Sequence, residues 1–303
     1  MLGYNPKGIT PSSGTFYLNN SKEEGETEEG GAFKGDVILP FSYVETEKTD
    51  SDGNKVTFST VQEYTINSEQ NFSMTLYNGK WKLYPTIFTA SGSDYESFIM
   101  ESIGSDIENK RFVANNRIKI YIKNIYGDIE NDWTVSDKEL FTNNDFESTQ
   151  YAYTIDSTSK TYNVRLNEKK TYEIKFGNGV LGKKLNKGDQ VYVFYLDTNG
   201  LDGQVTPDDI SDKMTFKHSR QDFGLDEETY INMFGATSVE NSVTKKYSAE
   251  TAPVVFINQT TTTPEAEEDV DSIRKSAPEE FKLGRRLVTP YDYEYFVKNK
   301  WKG

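Results

Sequence analysis

The strongest suggestion of chemistry lies in six residues. Gly177-Asn178-Gly179-Val180-Leu181-Gly182 has the spacing G-x-G-x-x-G, and it follows an alternating stretch, Tyr172 to Phe176. That spacing holds a dinucleotide when the glycines open a helix whose N–H groups face the pyrophosphate. Here Lys183 to Asp189 (KKLNKGD) is too short and turn-like to be such a helix, so the glycines read as a tight hairpin rather than a phosphate loop. Two Asp-rich stretches suggest calcium loops, which need oxygens at positions 1, 3 and 5 and a glycine at 6. In Asp197 to Gly203 the acid and glycine fall at positions 6 and 7, and position 12 is Asp208 instead of Glu. In Asp50 to Asn54 the glycine comes at position 4. Both read as turns. His218, the single histidine, sits in a polar stretch (KHSR) with no arrangement of Ser and acid that sequence reads as a triad, and reads as a surface residue. No catalytic, cofactor or metal residue is assigned.

Any site must be positioned by a sparing core. The chain has 303 residues, 34 Lys+Arg against 48 Asp+Glu, a formal charge of −14 and 35% hydrophobic residues, with a mean hydropathy of −0.72. Tyr (20) and Phe (18) supply apolar area in place of aliphatics, which favours pleated surfaces and contact faces over a Leu-rich bundle. The fold class expected is mainly β (α+β), several antiparallel hairpin or meander modules with a short helical C-terminal segment. The absence of Cys excludes a disulfide scaffold, a thiolate nucleophile and a thiolate zinc site. No window approaches the ~18 apolar residues of a spanning helix, and Met1 to Pro6 lacks the pattern of a signal peptide. The expectation is a soluble protein without an export signal. The acidic balance disfavours nucleic acid, and neither a membrane nor a small-molecule substrate is expected as partner.

Along the chain, Thr15 to Leu18 alternates, and Asn19 to Gly31 (NNSKEEGETEEGG) has no apolar side chain and reads as a mobile loop. Val37 to Ile66 holds two extended stretches around Asp50 to Asn54. Phe72 to Phe88 holds two more around Asn78-Gly79, a type I′ hairpin signal. Asp94 to Ile103 places Tyr95, Phe98, Ile99 and Ser102 on one helical face, and Arg117 to Ile125 alternates with Ile118, Ile120 and Ile122 pointing one way. Strands are expected at Tyr151 to Ile155, Tyr162 to Leu166, Tyr172 to Phe176 and Gln190 to Leu196, with weaker ones leading to Val254 to Ile257. Thr260 to Asp271 reads as an exposed linker. Helical spacing then sets in at Val270, Ile273, Ala277 and Phe281, interrupted or reoriented by Pro278, and Thr289-Pro290 starts a second helix. The division expected is 1–36 (first strand and acidic loop), 37–212 (strand-rich, with an inserted β domain about 37–115), 213–259 (a second small β segment), 260–271 (linker) and 272–303 (helical).

Three segments in this order resemble the baseplate wedge and baseplate J-like proteins of contractile phage tails, of the T-even large wedge subunit type. Leu2-Gly3-Tyr4-Asn5-Pro6 is similar to the opening of the family's first β domain. Phe176 to Val180, with Gly182, Lys183-Lys184 and Gly188-Asp189, is similar to its FGDG-x-x-G hairpin, and Val191 to Leu196 with Thr198-Asn199-Gly200 continues the likeness. Val270 to Tyr293 resembles the family's I-R-x-x-A-P-x-x-F then R-x-V-T-x-x-D-Y pattern, matching at Ile273, Arg274, Ala277, Pro278, Phe281, Arg286, Val288, Thr289, Asp292 and Tyr293.

The resemblance implies a virion protein of the tail baseplate, assembled in the bacterial host cytoplasm and not an enzyme. Its partners would be other wedge subunits, a second copy of itself and the central hub and tail-tube region. The residues it marks as structural or interfacial are Gly177, Gly179, Gly182, Arg274, Pro278, Phe281, Arg286, Thr289, Asp292 and Tyr293. Each also has a local role: the glycines permit a tight turn, the arginines offer forked donors, and Thr289 with Asp292 resembles a capping box. Family members extend beyond both ends of this segment, so a fragment or a split gene product is a further expectation. The rival reading is a glycan-binding or host-contacting tail module, suggested by Tyr and Asn in loops. A hydrolase of cell-wall polymer would need a pocket of paired carboxylates.

Overall fold

Where apolar side chains alternate, the chain forms strands. The computed structural model describes residues 6–19, 37–65, 72–101, 112–136, 156–167, 171–210, 216–234 and 254–283. The strands are β1 (Ser13–Asn19), β2 (Val37–Ile38), β3 (Tyr43–Thr49), β4 (Lys55–Ser59), β5 (Tyr64–Thr65), β6 (Phe72–Asn78), β7 (Lys80–Leu83), β8 (Phe88–Thr89), β9 (Ser97–Met100), β10 (Phe112–Lys123), β11 (Ile129–Glu130), β12 (Thr134–Val135), β13 (Thr161–Leu166), β14 (Tyr172–Phe176), β15 (Gln190–Thr198) and β16 (Val254–Phe256). The helices are α1 (Glu227–Phe234) and α2 (Val270–Leu283). The fold is mainly β, and its strand pairs are antiparallel apart from β12 with β13.

One sheet has the order β16-β1-β6-β4-β3, and its core joins Phe16, Val44, Phe58, Leu76 and Val255. A second (β11-β10-β15-β7, with β8 also on β15) faces a third (β12-β13-β14-β9) across a core of Ile118, Ile120, Ile122, Val191, Val193, Trp133, Tyr162, Ile174 and Phe176. Tyr162 keeps its polar end satisfied inside this sandwich, its hydroxyl donating to Ile118 O at 2.8 Å. The far face of the second sheet, with Tyr121, Tyr192, Phe194 and Leu196, packs against α1 and Phe41. Strand β15 is therefore buried on both faces, which explains its unbroken apolar run VYVFYL.

Several expectations change. The helical spacing over 94–103 yields strand β9 instead, because Ser97 to Met100 pairs with Tyr172 to Lys175 of β14 and turns Met100 inward. Tertiary pairing overrides a short helical pattern. Asn78-Gly79 is not a hairpin: β6 pairs with β1 and β4, whereas β7 pairs with β15, so the chain passes from one sheet to another there. Gly79 has φ +125, while Asn78 is absent from the positive-φ residues that a type I′ turn would need. The segment 37–115 shares its sheets with the rest of the chain, since β6 lies beside β1 and β9 lies beside β14. The Asp50 to Asn54 turn does join a hairpin, β3 to β4.

The 213–259 segment contains a helix as well as β16. Asp226 caps α1 by accepting from Thr229 N at 2.8 Å, and Tyr230, Met233 and Phe234 fall on one buried face. His218 is buried, at 3% exposure, not a surface residue. Its Nδ1 lies 2.6 Å from the Tyr230 hydroxyl and its Nε2 3.1 Å from Pro40 O, so an apparently polar KHSR stretch hides an aromatic-cage histidine against Phe223 and Phe234. The linker expected at 260–271 is partly fastened down. Thr261 is buried, and Thr10 and Glu265 form an antiparallel bridge. Pro278 does not interrupt α2, which runs through it. The expected loop 19–31 (beyond Asn19), strand 151–155 and second helix from Thr289 lie outside the described residues.

Candidate functional site

Strand β14 ends at Phe176, buried in the sandwich, and the next residue must turn at once. A Cβ on Gly177 would sit 2.3 Å from Gly182 O and 2.5 Å from Leu181 O, so only glycine fits the pinch. Gly179 N donates to Gly182 O at 3.0 Å, and Asn178 Oδ1 accepts from Val180 N at 2.9 Å and Leu181 N at 2.8 Å. Asn178 Nδ2 donates to the Tyr95 hydroxyl at 2.9 Å. The loop is then pinned to the 156–159 turn, Gly182 N to Asp156 O at 3.1 Å and Lys183 N to Ser159 O at 2.8 Å. Strands β14 and β15 on either side join different sheets, so the expected hairpin is instead a closed crossover loop. A hairpin would need β14 to face β15, but β13 and β9 already flank β14.

The amides from Gly179 to Lys183 all donate within the protein, whereas a phosphate cradle needs them directed at the ligand. The lysines beside the loop are engaged too. Lys183 Nζ meets Glu130 Oε1 at 2.6 Å, Lys184 meets Asp94 at 2.6 Å, and Lys160 meets Asp132 at 2.8 Å. Burial works to raise the Glu130 carboxyl, but Lys183 and the Trp133 indole, donating at 2.9 Å, outweigh it and hold the group below its ordinary value. Hydrogen bonds from Thr158 and Ser159 pull Asp156 down to about 2. Apolar side chains stand out from two turns: Val180 of the glycine loop is 69% exposed, and Tyr126 (83%) and Ile125 stand on the β10–β11 turn. Ile125 reaches the next loop, its Cγ2 lying 3.2 Å from where Gly188 would carry a Cβ.

Gly177, Gly179 and Gly182 thus come together. Arg274 is not brought to them: it lies exposed on α2, its Nη1 3.3 Å from Asp271 one turn back. Pro278 and Phe281 lie within the backbone span of α2, and Arg286, Thr289, Asp292 and Tyr293 lie outside the described residues. The sequence reading missed Tyr126, Ile125 and Val180, whose only signal was large apolar side chains at turn positions.

The two stretches weighed as calcium loops also meet, across 150 residues of chain. Asn199 Nδ2 donates to Asp50 Oδ2 at 2.8 Å and Ser51 N to Asp202 Oδ2 at 3.0 Å, so each carboxylate ties down the other's loop. Among the described residues no group of three or more acidic or histidine side chains could hold a metal. Beside them opens a cleft of about 490 Å³, walled also by Lys55, Lys82, Ile9 and Glu267. No protein family and no curated protein matches this chain. No described helix is long and apolar enough to cross a membrane.

The glycines differ in what they tolerate. Gly177→Ala must force the pinch open and is expected to cost about 2 kcal/mol or more. Gly179→Ala meets only Lys184 Cβ at 3.6 Å and carries a φ of +82, so it should cost about 1 kcal/mol. Urea unfolding of both variants checks the order, and equal midpoints would refute the pinch.

Proposed function

We propose that this chain is a structural subunit of a contractile-tail baseplate wedge. It joins neighbouring subunits in the ring around the hub and rearranges when the sheath contracts. Its work is interface energy, not bond chemistry. The observation that carries this reading is the Gly177 to Gly182 loop, which resembles the family's glycine motif and has its donors turned inward and Val180 turned out. The ordered likeness at Val270 to Tyr293 adds a helix, α2, among whose described side chains Ile273 and Ala277 are half-buried and Arg274 and Lys275 exposed. The proposed partners are other wedge subunits, a second copy of the chain and the hub, in the virion tail.

Arg274 and Arg286 would orient the helical end against those partners, because a guanidinium fork recognises carboxylates and carbonyl groups with fixed geometry. Arg286→Ala is expected to leave the melting temperature of the isolated chain unchanged while lowering the yield of assembled particles about tenfold or more, as for a buried interfacial arginine. Normal particle yield and stability in that variant would sink the assignment of Arg286.

A second reading, a glycan-binding tail module, is favoured by one observation: the cleft presents the exposed side chains of Asp52, Asn54 and Leu201, polar groups beside an apolar one as a saccharide site uses. Binding on a glycan array at micromolar strength, abolished by Asp52→Ala, would support it.

A further inference from the structure

Strand β10 breaks its ladder part-way along. Val113 pairs with Asp197 and Ile118 with Tyr195, so Ala114 to Arg117 stand opposite Leu196 alone. Val113 and Ile118 nevertheless face the same core, which strict alternation over five positions forbids. The chain makes up the difference in this bulge, where Asn116 takes a left-handed φ of +56, a conformation asparagine tolerates better than most residues with a side chain. A bulge of this kind re-aims the side chain beside it.

That side chain is Arg117. Its Cζ lies over the Tyr77 ring, 3.9 Å from the centroid. Tyr77 belongs to β6 and pairs with Ser13 of β1 and Ser59 of β4, so the contact joins the second sheet to the first, next to Asn78. A guanidinium carries five N–H donors and no acceptor. Nη1 donates to Asn116 O at 3.2 Å, whereas Nε is buried with no acceptor at all. Among the described residues Nη2 has no acceptor either, and no carboxylate forms an ion pair with Arg117. The other basic side chains nearby in sequence or motif are engaged: Arg274 meets Asp271, Lys183 meets Glu130, and Lys119, two residues along β10, is directed to Trp133 O at 3.2 Å.

An arginine out in solvent satisfies its donors with water. Arg117 is half-buried and its Nε is shut away from solvent, so it has given up hydration there without gaining a protein acceptor, a cost that buried polar groups seldom bear without return. The Tyr77 face and the bulge hold the group in place, so its ordering is completed on folding and is not charged against binding. Several donors in one plane match the two oxygens of a carboxylate. A polyanion is a poorer match, because the chain carries a formal charge of −14 and Lys119 does not join Arg117 to make a second cation there. A tyrosine and an arginine packed together are also the residue types that anchor protein interfaces.

We propose that Arg117, set over Tyr77 by the β10 bulge, is a docking point for one carboxylate of a protein partner. The site lies at the junction of the first two sheets, and its existence does not depend on the chain belonging to a tail. Nuclear magnetic resonance of the isolated full chain, labelled with 15N-arginine, tests it. The probes are a blocked alanine-glutamate-alanine tripeptide, the same tripeptide with glutamine in the centre, and inorganic phosphate. The glutamate peptide should shift the Arg117 guanidinium N–H resonances saturably, with a dissociation constant on the order of 10 mM as befits a single ion pair, and leave those of Arg274 without a saturable shift. The glutamine peptide should not bind. Arg117→Lys keeps the charge but not the fork, so binding of the glutamate peptide, followed through the backbone amide of residue 117, should weaken at least about tenfold. The titration of the unaltered chain decides by itself if that variant does not fold. No saturable shift, an equal response to the glutamate and glutamine peptides, or tighter binding of phosphate than of the glutamate peptide would overturn the proposal.

Discussion

Asn78→Leu is expected to lower the unfolding free energy by about 4 kcal/mol, near the upper end for single substitutions, with the loss read as a reduced urea midpoint. The side chain is fully buried at the point where β6 leaves the first sheet and β7 joins the second. Its Oδ1 accepts from Thr198 Oγ1 at 2.6 Å and from Asn199 N at 3.1 Å. Its Nδ2 donates to Thr57 O at 3.0 Å and to Asn199 Oδ1 at 3.1 Å. Leucine is similar in volume but satisfies none of these, and each buried group left unpaired costs about 1–3 kcal/mol. Gly203 is bare for the same reason, since a Cβ there would lie 2.2 Å from Asn78 Oδ1. Asn78→Asp keeps the acceptor but turns a second acceptor and a charge toward Thr57 O, so it too should be strongly destabilising. A loss below about 1 kcal/mol for Asn78→Leu would mean the amide is not the joint between the sheets.

Acid should weaken the fold through His218. Pro40 O can only accept, so Nε2 carries the proton and Nδ1 accepts from the Tyr230 hydroxyl. Burial pushes the imidazole down to about 4, against the smaller raising influences of the Pro40 hydrogen bond and of Asp222, whose carboxylate is itself paired with Lys80 at 2.6 Å. The unfolded chain binds its proton near the ordinary histidine value of about 6.5. Between about 6.5 and 4 the unfolded state therefore holds more protons than the folded one, and stability falls as pH falls. The contribution is complete above that window and amounts to at most about 3 kcal/mol. Protonation also removes the Nδ1 acceptor from Tyr230, which burial holds at about 12 and so keeps protonated as a donor. His218→Gln offers no titrating group, and its stability should lack this step between pH 6.5 and 4. A variant with the same pH dependence as the native chain would show that carboxylates, not His218, govern it.

The strands were legible because burial on one face leaves a period of two. Ile118, Ile120 and Ile122 do face one core, and the Tyr162, Tyr172 and Gln190 stretches are strands as read. Partner choice was not legible. Asn78-Gly79 and Gly177 to Gly182 announce a sharp change of direction, and the change is there, but a glycine's φ does not say which sheet receives the next strand. The capping signal of α1, Asp226 with Thr229, was present in the sequence, yet its eight residues offer too short a pattern to outweigh the β context. His218 shows the limit from the other side: its neighbours in sequence are polar, while Tyr230, Phe223 and Phe234, which enclose it, arrive from later turns. The stretch Thr260 to Asp271 was read as exposed because Thr and Glu are polar, whereas Thr261 is buried by hydrogen bonds to segments about 56 and 249 residues away. Of the candidate site, the glycines were readable by type, and the exposed Val180 and Tyr126 were not, since only folding decides which loop apolar side chains remain uncovered.

If the chain works as part of an assembled tail, it must be present in the particle. Tryptic mass spectrometry of purified intact particles, with peptides quantified against known tail proteins, tests it most directly. Peptides of this chain are expected at the level of the baseplate components. Their absence from intact particles would contradict it.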